Sequence, residues 1–529
     1  VPMGGLSLDF SWAQLTSDVA AKVGKKATLT SQGDVDISAK SIRSLGSGAS
    51  NCGQTLGLAV GLGISDTKAS ADMAGTVYAK GDVSVKAENT LSENGGVYAA
   101  DTVTASSIGG DTALKPTTDP IKAGVGKFFS KLKKAFTEED KTGQMAKDLD
   151  LDKADKPAKQ KKPWNKMGAN ASTALLFSDN DATASVTGKV RGIDASGNAS
   201  DAAGAKSLTV DALTLSRSHA VVGSYQNDTT SKDETTKKDN TITAAISYLQ
   251  QRNHATAFIS GDTKTSGDTT VHAKTVIPWQ TSWQSSDPVD QLLNVFFNSI
   301  DTNPVLPDLV DSWTQAAGNG DNVNGAASVS IVNYDNNAKA YIGKKDDTQT
   351  TTPAVDAAGN VNVTGETDIT TVNLTGTIQS YLSAAPLNLW KTAYKDKDKK
   401  LAFQDIFNRN GWTMEGASKA GVGGAALSVH QKNNAEAYID DGAVVTAKGS
   451  ADVNAKARAL NIAMAAAGGP AKSVAVDATV GVNRFDNTTK ARIGNATVTA
   501  KDVSVTAEDL SKTIQAAGAI GVSGGTGIG

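Results

Sequence analysis

The feature that most constrains this chain is an internal repeat. One segment type, an alternating run of small and apolar residues around a cluster of Asn and Asp, occurs at 59–73, 171–186, 244–259, 326–343, 424–440 and 477–494. A shorter type, exemplified by GTVYAKGDVSVKAEN, follows at 75–89, 357–371, 443–457 and 496–510, with one further copy at 27–42. The most closely spaced copies define a unit of about 50–55 residues, a length typical of repeat architectures.

The alternation within each copy has a period of two, which is the pattern of a half-buried β-strand. In the copy AASVSIVNYDNNAKAYIG the apolar residues that would share one face are Ala327, Val329, Ile331, Ala338, Ala340 and Ile342. Ser328 and Ser330 would point the other way. The steps KGD, KD and AGN between the runs are turn residues. The chain is therefore predicted to be all-β.

Small side chains determine how such strands can pack. Aromatic residues make up only 5% of the chain, and it contains 51 glycines. Short strands of this kind bury enough surface only when each copy stacks on the next, which predicts a parallel β-helix, or solenoid, with a narrow core. With two coils in each unit, the stack would be on the order of 60–70 Å long. The recurring Asn and Asp residues would either form a side-chain ladder or act only as turn formers.

Three segments interrupt the repeats. Residues 111–166 form a Lys-rich insertion with apolar residues at helical spacing, and 278–318 and 376–420 form Trp-bordered insertions that are also predicted to be helical. The repeat regions are accordingly 1–110, 167–277, 319–375 and 421–529. The start and the end of the sequence look like cuts through a longer polypeptide.

Tryptophan is concentrated in and around these insertions, and none is expected in a repeat strand. Exposed aromatic residues on a rigid scaffold are candidates for contact with a glycan or a protein. This reasoning selects as candidate partner-binding residues Trp279, Trp283, Trp313, Trp390 and Trp412. The alternative is that they fasten each insertion to the side of the stack. Trp12 and Trp164 lie outside this set, and Trp12 would belong to the tail of another insertion.

Several function classes find no support in the residues. A net charge of −3 argues against a nucleic-acid partner. The four histidines stand singly, away from Cys or carboxylates at ligand spacing, so no metal site is predicted and the histidines are expected to face solvent. No catalytic or cofactor-binding motif is found, and a non-enzymatic protein is predicted. The single cysteine, Cys52, excludes an internal disulfide.

The two repeat motifs resemble those of a known group of bacterial proteins. The combination of AASVSIVNYDNNAKAYIG with ATVTAKDVSVTAE is similar to the repeats of large filamentous adhesins exported by type V secretion, in particular the leukotoxin-like adhesins. The resemblance implies a right-handed parallel β-helix and export with a dedicated outer-membrane partner. It also implies a secreted or cell-surface location and a role in adhesion or biofilm, with a host or bacterial surface protein or glycan as the ligand.

Two other functions remain open from the sequence. A β-helical polysaccharide lyase or hydrolase would place clustered acidic and basic residues in a groove of the same fold. A self-assembling surface fibre would use the insertions for contacts between neighbouring copies.

Overall fold

A computed structural model describes residues 6–54, 56–94, 97–109, 167–226, 240–278, 310–318, 322–376, 418–523 and 526–528. Most of these residues are in β-strands and none is in a helix, which confirms the all-β prediction. Nearly all residues of the insertions predicted to be helical lie outside the described part of the chain.

The strands fall into four columns, A to D, which each repeat visits in that order. Column A contains β1 (Leu6–Val23), β5 (Leu56–Met73), β11 (Met167–Val186), β16 (Asn240–Ile259), β20 (Val323–Ile342) and β23 (Ser418–Ile439). Column B contains β2 (Thr28–Ser31), β6 (Thr76–Ala79), β12 (Lys189–Ile193), β17 (Asp262–Thr265), β21 (Ala354–Ala357), β24 (Val444–Ala447) and β26 (Thr497–Thr499). Column C contains β3 (Val35–Arg43), β7 (Asp82–Leu91), β14 (Ser207–Leu215) and β18 (Thr269–Ile277).

Column D contains β4 (Gly46–Gln54), β10 (Asp101–Gly109), β15 (Ser218–Gln226) and β19 (Ser312–Ala317). Three longer strands pass through several columns: β22 (Val361–Gly376) and β27 (Asp502–Ser523) join C to D, and β25 (Ser450–Ile493) runs through C, D and A. The short β28 (Thr526–Ile528) pairs with column A of β25. The antiparallel pairings described are β12 with β13 (Ala199–Ser200) and β8 (Glu93–Asn94) with β9 (Val97–Tyr98).

Each repeat forms one layer of the stack, and successive layers pair residue by residue. Leu6 pairs with Leu56 at one end of column A, and Ile439 pairs with Ile493 at the other. All these pairings between layers are parallel. The expectation of two coils in each unit is therefore wrong, because one unit closes one layer. Seven layers spaced about 4.8 Å apart give a stack about 34 Å long, which is half the expected length.

The core lies between the columns and consists mainly of alanine and valine. One cluster joins the end of column A to columns B and C, as in the contact group of Ala71, Val77 and Val85, each 0% exposed. A second cluster lies between the start of column A and column D. These small side chains match the short distance between facing columns, as the composition predicted.

An asparagine ladder runs through the core at the middle of column A. Asn180 donates from Nδ2 to Oδ1 of Asn253, and the same bond links Asn253 to Asn336, Asn336 to Asn433 and Asn433 to Asn487, at 2.7–2.9 Å. The first four of these side chains are 0% exposed. The ladder alternative is thus confirmed. The residues are not turn formers, however, because they lie within continuous strands.

The inward face of column A is partly polar, which corrects the expected alternation. Ala338, Ala340 and Ile342 point inward as predicted, but Ser328 and Ser330 point inward too and Ile331 is 39% exposed. The period of two continues through the whole strand, so the face of Asn336 fixes the face of every second residue. The serines are accommodated by hydroxyl contacts, such as those of Ser330 with Ser247 and Ser312, both 2.8 Å.

Glycine at the turn between columns B and C lets successive layers approach closely. The Asp268 carboxylate accepts a 2.7 Å hydrogen bond from the backbone N–H of Asn360, and Asn360 Oδ1 accepts one of 2.9 Å from Ser450 N–H. A Cβ on Gly359 would collide with Oδ1 of Asp268 and would lie 2.8 Å from the carbonyl carbon of Gly267. The K-G-D and A-G-N motifs are therefore stacked turns that require glycine for space.

The Asn336→Ala variant is expected to lose about 2–4 kcal/mol of unfolding free energy, because Asn253 and Asn433 would each lose a buried partner. Urea unfolding followed by far-UV circular dichroism measures the loss. The matched control is Asn337→Ala, at the adjacent outward position, which should change the stability by less than about 0.5 kcal/mol. Equal losses in the two variants would show that the ladder adds nothing to stability.

The Gly359→Ala variant is expected to cost about 1–3 kcal/mol, because the new methyl group collides with the turn of the preceding layer. Gly424 has nothing within 4 Å of its Cβ position and is the control. Gly424→Ala should leave the urea midpoint unchanged or raise it slightly. A Gly359→Ala protein as stable as the unaltered chain would refute the close approach of the stacked turns.

Candidate partner-binding faces

The long interruptions of the repeat join the stack at the two corners beside column D. Segment 110–166 connects column D of one layer to column A of the next, as does segment 377–417. Segment 279–309 connects β18 in column C to β19 in column D. In the layer of β25 no segment is inserted, and the strand runs from Ser450 to Ile493 through both corners. The stack of columns therefore continues past every interruption.

The described strands shorten two of the predicted insertions. The second insertion is predicted to include residues 312–317, but they form β19 and complete column D of their layer. Gly376 ends β22, and 418–420 begin β23. The sequence DSWTQAA lacks the small-residue alternation of the repeats, so its residues alone do not identify it as a repeat strand.

The outward side of column D carries an apolar patch, named here the D-face patch: Val310, Trp313, Val372, Leu374 and Ile462. Trp313 pairs with Leu374, and Leu374 pairs with Met464 in the next layer. The alternate residues of β19 point inward: Ser312 and Thr314 both contact Ser247 in the core. The patch therefore lies on the opposite side of the strands from the core.

The structure places one candidate tryptophan, Trp313, in the D-face patch. Its exposed fraction is 5%, so the exposed position on a loop expected for it is wrong. Its position favours the alternative in which tryptophan packs against the side of the stack. Trp279, Trp283, Trp390 and Trp412 lie outside the described residues, as does Trp164, and their binding role stays a prediction.

A second outward apolar patch lies on column A near its start and includes Trp12. Trp12 pairs with Leu62, Leu62 with Leu175, and Leu175 with Tyr248, so the four form one row across four layers. Leu62 is 1% exposed and Leu175 7%. This row forms its own cluster, separate from the core. The expectation that no tryptophan lies in a repeat strand is wrong for Trp12 as well as for Trp313, because both rings occupy outward strand positions.

Buried ion pairs stabilise the corner between columns C and D. Nη1 of Arg43 lies 2.6 Å from Oδ2 of Asp101, and their side chains are 1% and 0% exposed. Two layers on, Nε of Arg217 lies 3.3 Å from Oδ1 of Asp311, which also lies in the core. Burial raises the pKa of Asp311, and Arg217 opposes this shift. Breaking such a pair by removing one partner typically costs about 3–5 kcal/mol. Each carboxylate is occupied by its own arginine, so the pairs have a structural role.

A group of charged residues lies on the outward side of column C. Nδ1 of His272 lies 2.8 Å from Oδ1 of Asp211, and Nε2 lies 3.8 Å from Oε2 of Glu366. Burial alone would lower the pKa of His272, but the hydrogen bond to Asp211 and the interaction with the nearby Glu366 carboxylate outweigh burial and raise the pKa to about 9. The interaction with His272 in turn lowers the pKa of Glu366 to about 2. Lys274 lies 3.3 Å from the other oxygen of Glu366.

The other histidines are also paired or buried. His254 and His430 each lie beside an aspartate. His219 is only 6% exposed and contacts the carbonyl oxygen of Val310, so the solvent-facing position expected for it is wrong. In the described part of the chain no group of three His, Cys, Asp or Glu residues could hold a metal ion.

Two further findings concern membranes and relatives. Within the described residues, no helix is long and apolar enough to cross a membrane. Comparisons of the chain with protein-family models, with curated proteins and with solved structures each find no match.

The His272 group is expected to make stability depend on pH. Because the pKa is raised from 6.5 to about 9, the stabilising effect of protonated His272 is fully present below pH 6.5 and is lost as the pH rises through 9. Since the side chain is about one third exposed, the loss should be on the order of 1 kcal/mol. Urea unfolding at pH 6 and pH 9.5 measures it. His272→Gln should abolish this part of the pH dependence and Asp211→Asn should reduce it; an unchanged difference in His272→Gln would contradict the assignment.

Proposed function

We propose that the chain is part of the shaft of a secreted bacterial adhesin, folded as a right-handed parallel β-helix, and that it has no enzymatic activity. The observation that supports this is the in-register parallel pairing of each layer with the next, which persists through seven layers. Such a stack is a rigid scaffold in which every layer contacts only its neighbours. The charged groups of the Arg43–Asp101 and Arg217–Asp311 pairs and of the His272 group interact with one another. Such pairing suits a structural surface better than a catalytic groove.

The proposed shaft displays the long interruptions on one side. All three connect at the corners beside column D, while the longest loop described beside column B, 194–206 between β12 and β14, has thirteen residues. Tryptophan is concentrated in the interruptions, which contain Trp279, Trp283, Trp390 and Trp412. We propose that these segments contact a host or bacterial surface protein or glycan, and that the layers hold them in fixed order along the shaft.

The proposed location is the bacterial cell surface or the medium, reached by type V secretion through a dedicated outer-membrane partner. The support is the similarity of the repeat motifs to those of filamentous adhesins. The absence of any internal disulfide also suits export in an extended state, because no covalent loop would have to pass the channel.

The test compares the adhesion of beads coated with the chain and with a variant that lacks the interruptions. The register between layers defines three deletions. Gly109 is joined to Gly168, Pro278 is joined to Val310, and residues 377–413 are removed. Each of these three corners then has the length found in an uninterrupted layer. The number of beads that stay bound to epithelial or bacterial cells under flow should be lower by about tenfold or more for the deletion variant. The β-type circular dichroism of the stack should remain.

Undiminished retention of a correctly folded variant would show that the interruptions do not mediate adhesion. Incubation with pectate, alginate and related polymers tests the enzymatic alternative, since release of unsaturated or reducing ends would overturn the proposal. Filaments that form as the concentration rises, and that disappear when 279–309 is deleted, would favour a self-assembling fibre.

A further inference from the structure

The D-face patch is covered although it points away from the core. Leu374 and Val310 are 0% exposed and Val372 is 3% exposed, values that match the interior of the stack. An outward row on an uncovered sheet would leave one face of each side chain in water. The polar residues on the same side, His219 and Gln315, are also buried, and both have interaction partners.

The described residues that pack with the patch do not account for this cover. They are Leu460, Met464 and Ala466 in β25 and Ile514 in β27. All four belong to the same continuous sheet as the patch, on the strands of the following layers, so they lie beside it and not above it. Among the described residues, the outward side of the patch therefore has no apolar partner of its own.

The chain offers four segments near column D, and their sequences and attachments differ. Segment 110–166 leaves column D after Gly109, in the layer of β10, which lies two layers before that of β19. Segment 227–239 reads NDTTSKDETTKKD and has no apolar side chain to place on the patch. Segment 377–417 leaves column D at Gly376, on the side of the corner with column A. Segment 279–309 leaves column C after Pro278 and returns at Val310, which is itself a member of the patch.

The composition of segment 279–309 fits the patch. It contains the run QLLNVFFNSI, with six large apolar residues among ten, Leu292, Leu293, Val295, Phe296, Phe297 and Ile300. Residues of this kind are stabilised by burial against Trp and Leu side chains. Only two residues separate Val310 from Trp313, so the end of the segment is fixed directly beside the surface on which it would dock.

We propose that the D-face patch is the docking surface for segment 279–309, which packs its apolar run against Trp313, Val372 and Leu374. The patch extends over the layers of β19, β22 and β25, so the segment contacts its own layer and the two that follow it. The segment would then be fixed to the shaft, and its remaining residues, Trp279 and Trp283 among them, would be held in a defined place. The inference concerns packing within the chain and does not depend on adhesion.

The test measures how fast a cysteine at position 374 reacts with a maleimide. Cys52→Ser removes the native thiol, and Leu374→Cys supplies the probe. Val422→Cys, at a position 55% exposed, gives the rate of an open site, and Ile342→Cys, at a position 0% exposed, gives that of the core. In the full chain the Leu374→Cys thiol should react about 100-fold more slowly than that of Val422→Cys.

Deletion of 279–309 decides between the possible occupants. Joining Pro278 to Val310 gives this corner the same length as in the next layer, which has no insertion. There Thr370 corresponds to Pro278 and Thr371 to Val310. In this variant the thiol of Leu374→Cys should react about 100-fold faster, like an open site, while that of Ile342→Cys stays protected. Deletion of 377–413, or the joining of Gly109 to Gly168, should leave the Leu374→Cys thiol protected. Protection lost only in one of these two variants would assign the patch to the segment removed there and overturn the proposal.

A substitution provides the same test in the full-length chain, in case the deletion disturbs folding. The double variant Phe296→Asp, Phe297→Asp places two charges in the apolar run and should expose the thiol of Leu374→Cys. The control, Asn298→Asp, should not. A thiol that remains protected in the double variant would refute the docking. Because the readout is chemical protection, this result is independent of the outcome of the adhesion assay.

Discussion

The asparagine ladder is the interaction on which the register of the structure depends. A buried primary amide needs both a donor and an acceptor, and along the ladder each finds them in the equivalent residue of the neighbouring layers. A slip of one residue would turn the amides outward and leave apolar outward residues inside. Alanine and valine pack against almost any similar residue and specify register weakly, so the polar row supplies the specificity that the small core lacks.

A fixed register also explains where the chain tolerates interruptions. An insertion in the middle of a column would separate Asn336 from its neighbours or displace the turn at Gly359. At the corners beside column D the strands end, and the closing of a loop there costs little more for a long segment than for a short one. The buried pairs Arg43–Asp101 and Arg217–Asp311 lie at one of these corners. They link successive layers at the point where the path of the chain varies most.

The sequence predicted the repeat, its length and its strands, because these follow from recurrence and a period of two. It predicted Ala338, Ala340 and Ile342 inside, where apolarity and burial agree. It failed for Ser330, because the hydroxyl groups that accept it, on Ser247 and Ser312, belong to other layers and columns and leave no local signal. The continuous alternation from Asn336 back to Ser328 was the signal that would have placed the serines correctly. Trp313 could not be placed, because its strand is identified only by its pairing with β15 and β22.

The outward apolar rows follow from the same alternation and show how a repeat scaffold acquires differences between layers. The inward residues that follow the ladder are constrained by it and by the short distance between columns, so they recur from layer to layer, as Ala255, Ala338 and Ala435 do. The outward residues carry no such constraint: the row that holds Trp313 and Leu374 on column D also holds Val221 and Met464. An apolar patch can therefore arise on a few layers without disturbing the core, provided that another part of the chain covers it. The covering segment is then held on a rigid support. Its contact also spans more than one layer and so links these layers to one another.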